Sequence, residues 1–387
     1  MILRYTATLF LFCLCFKNLC AQQSNLDSLL KAESGYKKED TIKLNLLNEI
    51  AFFQQYVDPE KGLEFAQRAI DLATKLKDES GLARANYVMG VDYLRMDNVS
   101  KTLEYLQRAA KMYEAQKKSN ELARVYNSIG AAYLPHQEHH ADALNYLDKA
   151  IAIYNSQDNK QLLPNSVMNK ALLYKRMDSV GASLRYFNEA IGLFKKYAPE
   201  NKQLEARIYG GLGDAYIEFS PESLKAVGFT GEKYDTAVFY VRKALDAFTA
   251  LGSEDGRTAN YRRLGSIYLG QKKYALALEN SRMAKQIAER GGFLAMKADA
   301  TMDIASIYAA MGRYDSAFVY HRQYSVLNDS LLNDETERLL IEKEMQYNFD
   351  KKEDSLHFQN ELLSESNELS KLQLRQQWLY SIGGMIL

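Results

Sequence analysis

The chain has 387 residues, with 49 basic and 49 acidic side chains, five prolines and three cysteines. So balanced a charge excludes nucleic acid as the main partner, because phosphate binding requires a basic surface. Few prolines in a helix-favouring mix of Leu, Ala, Glu, Lys and Gln set the expectation of an all-α protein.

Met1 to Ala21 read as a secretory signal peptide: Arg4 opens it, Tyr5 to Phe16 form a largely apolar run of twelve, and Ala21 offers a small residue before Gln22. The rival is an uncleaved anchor, but twelve residues cover only ~18 Å as a helix against a ~30 Å hydrocarbon core. Lipid anchoring through Cys20 is a further alternative, which Lys17-Asn18 just before it suit poorly. Cys13, Cys15 and Cys20 all fall in this leader, so the mature chain would have no thiol for disulfides, catalysis or metal binding. Taking away Arg4 and Lys17 lowers the basic count from 49 to 47 against 49 acids, a slightly acidic body. Export without cysteine fits a bacterial periplasm.

Residues 22–40 read as a short capping helix carrying Leu26, Leu29 and Leu30, and Asp40-Thr41 as the next helix start. From there a tile repeats. Asn260 to Gly292 shows it most clearly: Gly265 and Tyr268 lie in one apolar-periodic run, Ala277 and Ala284 in a second, with Gln271-Lys272-Lys273 between. Small residues on one face of each run let two helix backbones approach closely. The second-run alanine recurs as Ala69, Ala109, Ala150, Ala190, Ala244 and Ala284, then weakly as Tyr324. The first-run marker recurs as Ile50, Gly90, Gly130, Ala171, Gly213, Gly265 and Ala305. Three residues on comes an aromatic each time: Phe53, Tyr93, Tyr133, Tyr174, Tyr216, Tyr268 and Tyr308. A single hairpin cannot bury such faces, so the tiles must stack.

This pattern over residues 41–327 resembles the tetratricopeptide repeat (TPR), in a long-helix form with a period of about 40. The resemblance implies a solenoid of about seven helical hairpins and a protein-binding scaffold, with no particular partner. Asp58-Pro59 marks the turn inside the first copy. The third copy has one extra residue in its turn (134–140), and the fifth has twelve, around Ser220-Pro221 to Lys233. Such insertions map to edge loops, either as partner contacts or as tolerated surface.

Residues 328–377 contain no proline or glycine. Leu327, Leu331, Ile341 and Met345 form one seam, and Phe358, Leu362, Leu369, Leu372 and Leu379 another, out of phase with it. The expectation is a long coiled-coil-like helix able to form a homodimer, the alternative a polar helix packed back on the repeats. Trp378 and Tyr380 then open an uncharged run, 378–387, which reads as the start of a transmembrane helix. Ten residues reach only ~15 Å, so either the span continues past Leu387 or the chain ends on a short apolar tail. Leader, repeats, charged helix and span in this order resemble the extracytoplasmic half of TPR-containing signalling proteins of Bacteroidetes-type bacteria. The resemblance implies an inner-membrane anchor and an output module, a histidine kinase or a helix-turn-helix regulator, beyond Leu387.

Motifs for chemistry are sparse. Tyr209 to Gly213 lie within a repeat helix and form no phosphate loop, and there is no zinc-protease, nucleophile-elbow or kinase motif, so no enzyme activity and no cofactor is expected. His136, Glu138, His139 and His140 share one turn, a composition that suits a divalent ion but lacks a supporting shell, so no metal site is assigned. Recognition remains. Arg84, Arg124, Asn165 and Arg207 lie six residues before their markers, and Tyr87, Asn127 and Arg262 lie three before theirs. Asp214 follows its marker by one. These offsets place them on one stripe of the first helices, the stripe that in TPR proteins lines the concave groove. There they would hold a peptide or protein, unless the arginines instead pair with Glu121, Glu205 or Asp214. The expected function is a periplasmic binding module serving as a sensor, the alternative a non-signalling envelope adaptor.

Overall fold

A computed structural model of the protein describes residues 26–54, 58–331 and 371. The chain divides into two units, residues 1–320 and 321–387. In the first unit every regular element among the described residues is helical. A short helix α1 (26–35) leads, and seven hairpins follow. The first partners, the A helices, are α2 (Thr41–Gln54), α4 (Glu79–Arg95), α6 (Ser119–Tyr133), α8 (Leu163–Arg176), α10 (Lys202–Glu218), α13 (Glu254–Gly270) and α15 (Leu294–Ala310). The second partners, the B helices, are α3 (Pro59–Leu76), α5 (Val99–Ala115), α7 (His140–Ser156), α9 (Val180–Tyr197), α12 (Lys233–Leu251) and α14 (Tyr274–Arg290), with α16 from 314.

Local chemistry sets the boundaries. Asp40 accepts from the N–H groups of Ile42 and Lys43 at the head of α2. Asp58, with Pro59 at the first helical position, caps α3 by accepting from Lys61 N–H. Asp78, Asn98, Asn201 and Ser253 cap α4, α5, α10 and α13 in the same manner. Turns close through left-handed residues: Lys77, Asp97, Lys117 and Asp178 in the first four copies, and Gly252, Lys272, Gly292 and Gly312 in the later ones. The two insertions are small local structures. A 3₁₀ turn, Gln137–His139, precedes α7, and the twelve-residue insert holds α11 (Pro221–Ala226) and Phe229, whose ring packs on Tyr216 at 5.1 Å.

The marker residues meet where A and B helices cross. Ala69, Ala109, Ala150, Ala190, Ala244 and Ala284 are all completely buried. A Cβ on Gly90 would come within 2.8 Å of Leu106, on Gly130 within 2.7 Å of Leu147, and on Gly213 within 2.7 Å of Val241. Each of those partners lies three residues before its copy's alanine. A Cβ on Gly265 would run into Ser281 Oγ in the same register. In five copies the tyrosine after the marker stacks on a B-helix tyrosine: Tyr93 on Tyr105 at 5.6 Å, Tyr133 on Tyr146 at 6.3 Å, Tyr174 on Tyr186 at 5.3 Å, Tyr216 on Tyr240 at 5.9 Å and Tyr308 on Tyr320 at 5.6 Å. These offset pairs seal the hairpin below the close crossing. Between copies, Arg242 and Arg282 donate to the hydroxyls of Tyr268 and Tyr308 in the following A helix, at 3.1 and 2.7 Å.

Beyond chain neighbours, the recurrent packing joins A helix to A helix, from α2–α4 through to α13–α15. The A helices therefore form one continuous wall. In the second unit, residues 321–331 and 371 are helical. The expected signal peptide (1–21) lies outside the described residues, as do 332–370 of the expected coiled helix and the expected membrane segment, 378–387. No helix among the described residues is long and apolar enough to cross a membrane, so the membrane part of the sequence expectation gains no support from the structure.

Crowding at the crossing predicts opposite effects for two glycines. Gly265→Leu should lower stability by about 1–3 kcal/mol through overpacking. Gly192→Ala, in a helix interior with nothing within 4 Å of the new carbon, should raise it by about 0.5–1 kcal/mol. Denaturant midpoints of the two variants check this.

Candidate functional site

On the A-helix wall of the first three copies lies a cleft of about 600 Å³. α2 supplies Thr41, Asn45, Glu49 and Phe52, and α4 supplies Ser80, Gly81, Arg84, Tyr87 and Val88. Glu121 and Arg124 of α6 close the far side. Tyr113 reaches the cleft from the last turn of α5.

The polar groups here are unequally committed. Arg84 pairs with Glu49 across α4 and α2 at 2.6 Å, both part-exposed. Lys118 Nζ donates to Ser80 Oγ at 2.6 Å. Arg124 is exposed and makes no ion pair or hydrogen bond among the described residues. Behind it stand two buried phenols. Burial pushes the Tyr113 hydroxyl up to about 12, with Glu121 adding to the effect, and raises that of Tyr154. Both stay protonated, as neutral hydrogen-bond donors, at any physiological pH. They occupy one position, four residues after the copy's alanine, where later copies carry Phe194 and Phe248 and the first and sixth carry Ala73 and Ala288. Phenol hydroxyls at this position thus occur only next to the cleft.

The stripe expected from the sequence divides in two. Arg84, Tyr87 and Arg124 come together in the cleft. The others serve the A-helix wall itself. Asn127 is buried and accepts from Asn169 Nδ2 at 3.0 Å. Arg207 donates to Asn165 Oδ1 at 2.9 Å, joining α10 to α8. Asp214 receives a bidentate pair from Arg263 at 2.6 and 2.9 Å. Arg262 is held by Asp299 at 2.6 Å and Asp303 at 2.7 Å of α15. Burial raises the Asp303 carboxyl even with this guanidinium against it. Glu49, Lys118 and Tyr113 were not in the sequence stripe. Tyr113 had a usable signal, a hydroxyl shared only with Tyr154 at a repeat position that is Ala or Phe in the first, fourth, fifth and sixth copies. His139 contacts Asp142 at 3.2 Å, and the described residues contain no group of three or more side chains arranged to hold a metal ion.

Residues 81–156, the second and third copies, match the family model of the tetratricopeptide repeat. No curated protein matches the chain in sequence. Among solved structures, a Rap protein complexed with competence and sporulation factor is 16% identical, with a TM-score of 0.57 over 79% of this chain and 80% of that one. The apo form of the quorum sensor NprR from B. thuringiensis is 14% identical, with a TM-score of 0.54 over 84% and 86%. A signal-transduction ATPase of Pyrococcus horikoshii with a tetratricopeptide repeat sensor is 18% identical, with a TM-score of 0.54 over 76% of this chain but only 44% of that one. Identities this low establish a shared fold and nothing finer.

The unequal commitment of the arginines predicts unequal costs. Arg262→Ala leaves two carboxylates facing each other without their cation and should cost about 1–3 kcal/mol. Arg124→Ala breaks no pair and should stay within about 0.5 kcal/mol of wild type. Thermal and denaturant unfolding distinguish the two. The tetratricopeptide-repeat match over residues 81–156 falls within seven in-phase hairpins whose markers share one crossing, so the chain has a tetratricopeptide-like repeat architecture.

Proposed function

We propose that the chain is an exported peptide- or protein-binding module, with the N-terminal cleft as its binding site. The observation that carries this is the cleft's chemistry: an uncommitted guanidinium, Arg124, above two protonated phenols, beside the part-exposed pair of Arg84 and Glu49. A bound chain offers carbonyl and carboxylate acceptors that such donors fit, and the groove of a helical-repeat wall suits an extended or helical segment. The Rap complexes with competence and sporulation factor and with the Phr* peptide support the same reading by analogy of fold. Within this proposal the module is the sensor of a single-span signalling protein, with residues 1–21 as export signal and 378–387 opening the span. The charged helix between would couple occupancy to a kinase or DNA-binding output by dimerising.

Panning a random peptide library on the wild-type protein supplies the probe. Selected peptides should bind Arg124→Ala about tenfold more weakly or worse, since a charge-assisted contact contributes ~1.5–3 kcal/mol. Raising salt should weaken wild type more than the variant. Unchanged affinity in Arg124→Ala would place binding elsewhere. For export, intact mass of the protein expressed in a periplasm-bearing host should correspond to a start near Gln22. Recovery of the whole chain from the cytosol would remove the localisation.

A further inference from the structure

Asp92 of α4 is completely buried, and neither carboxylate oxygen has a hydrogen-bond partner among the described residues. The position is two after the marker. In the other six copies it holds Phe52, Ala132, Leu173, Ala215, Ile267 and Ile307, apolar without exception. The facing residue is altered to match. Gly62 of α3 stands where later B helices carry Thr102, Ala143, Ser183, Ala237 and Ala277. A Cβ at Gly62 would lie 2.8 Å from Asp92 Oδ2 and 3.1 Å from its Cγ, so the carboxyl is pressed flat against the glycine. This contact joins the first copy to the second. The same junction buries Asn48 Oδ1 and Gln54 Oε1 of α2 without partners.

We propose that Asp92 is a proton-controlled latch: protonated, it lets the first copy (α2 and α3) stay seated on α4, and ionised, it releases that copy and with it one wall of the cleft. The first copy packs on another repeat on one side only, its other side carrying just the short α1 through Glu33, so it opens at lower cost than an internal copy held between two repeats. An unpaired charge cannot stay in this dry seam, where the neighbouring buried groups include the acceptors Asn48 Oδ1 and Gln54 Oε1, and opening is the available route to water. Burial holds the Asp92 carboxyl at about 8, against a small opposing pull from Arg95 in the same helix. Charges on the surrounding elements do not compensate it. On α3 Asp58 and Lys61 pair with each other at 2.9 Å, and on α2 Glu49 is held by Arg84. On α5 Lys101 pairs with Glu104 at 3.3 Å, and on α6 Glu121 and Arg124 line the cleft. The sign follows from linkage. A raised carboxyl favours the closed copy fully below the open-state value near 4, and that advantage is lost as pH climbs from there to about 8. The latch does not depend on what the cleft binds.

Hydrogen exchange read by mass spectrometry tests it on the full-length protein without ligand, as protection factors corrected for the intrinsic rate. Between pH 5 and 8, peptides from residues 41–76 should lose up to about tenfold of protection per pH unit and level off above pH 8. Peptides from residues 163–197 should not follow. Asp92→Asn should remove the slope, and Asp92→Leu, the type of residue other copies use, should remove it and raise protection at every pH. The proposal fails if wild type shows no slope in 41–76, if the slope survives in a folded Asp92 variant, or if 163–197 shows it equally.

Discussion

Everything in the first unit depends on how closely two helix backbones approach at the crossing inside each hairpin. In copies two to six, completely buried alanines on the B helices and glycine or alanine on the A helices set that distance. Side chains there are too small to contribute much hydrophobic energy. Their contribution is permissive: the approach brings Leu106, Leu147, Phe187 and Val241 into full burial and lets the tyrosine one turn on lie over its B-helix partner. One requirement, met every 40 residues or so, therefore fixes hairpin angle, ring stacking and the register in which the next A helix docks.

That requirement is also why the fold was legible. Small residues at fixed spacing leave a mark in sequence that survives change at nearly every other position, and the A-helix stripe followed from helix periodicity alone. Pairing across the stripe was not legible. Arg262 with Asp303, Arg263 with Asp214 and Arg207 with Asn165 are about one repeat apart. Which of two adjacent arginines turns to which neighbour depends on the rotation between successive hairpins, a quantity no single tile encodes. The sequence offered Glu121, Glu205 or Asp214 as partners, whereas the structure gives Arg84 to Glu49. Tyr113 was missed for a different reason: it arises from a B helix, and only its length carries the hydroxyl to the A-helix side.

Two kinds of wall thus occupy the same face of one array. In the later copies ion pairs and a bidentate clamp tie each A helix to the next, leaving few donors for anything else. In the first three copies Arg124 is uncommitted, phenol hydroxyls stand behind it, and α2 and α4 share one part-exposed pair. A binding surface needs donors whose partners are absent until the ligand arrives, and such donors cannot at the same time brace the wall.

The cost of that arrangement falls where the array is least supported. The first copy has another repeat on one side only, with α1 tied to it through Glu33, and its junction with α4 buries Asp92, Asn48 and Gln54 with acceptors unmet among the described residues. An apolar residue at position 92 would fit the pattern of the other six copies, so the carboxyl departs from a rule that the chain otherwise keeps. The unpartnered carboxyl of Asp92 and the uncommitted Arg124 lie toward one end of the array, while the clamps on Arg262 and Arg263 lie toward the other. Stability and recognition are therefore separated along the array. Copies four to seven form the braced body, and the first copy is an element whose seating can respond to its surroundings.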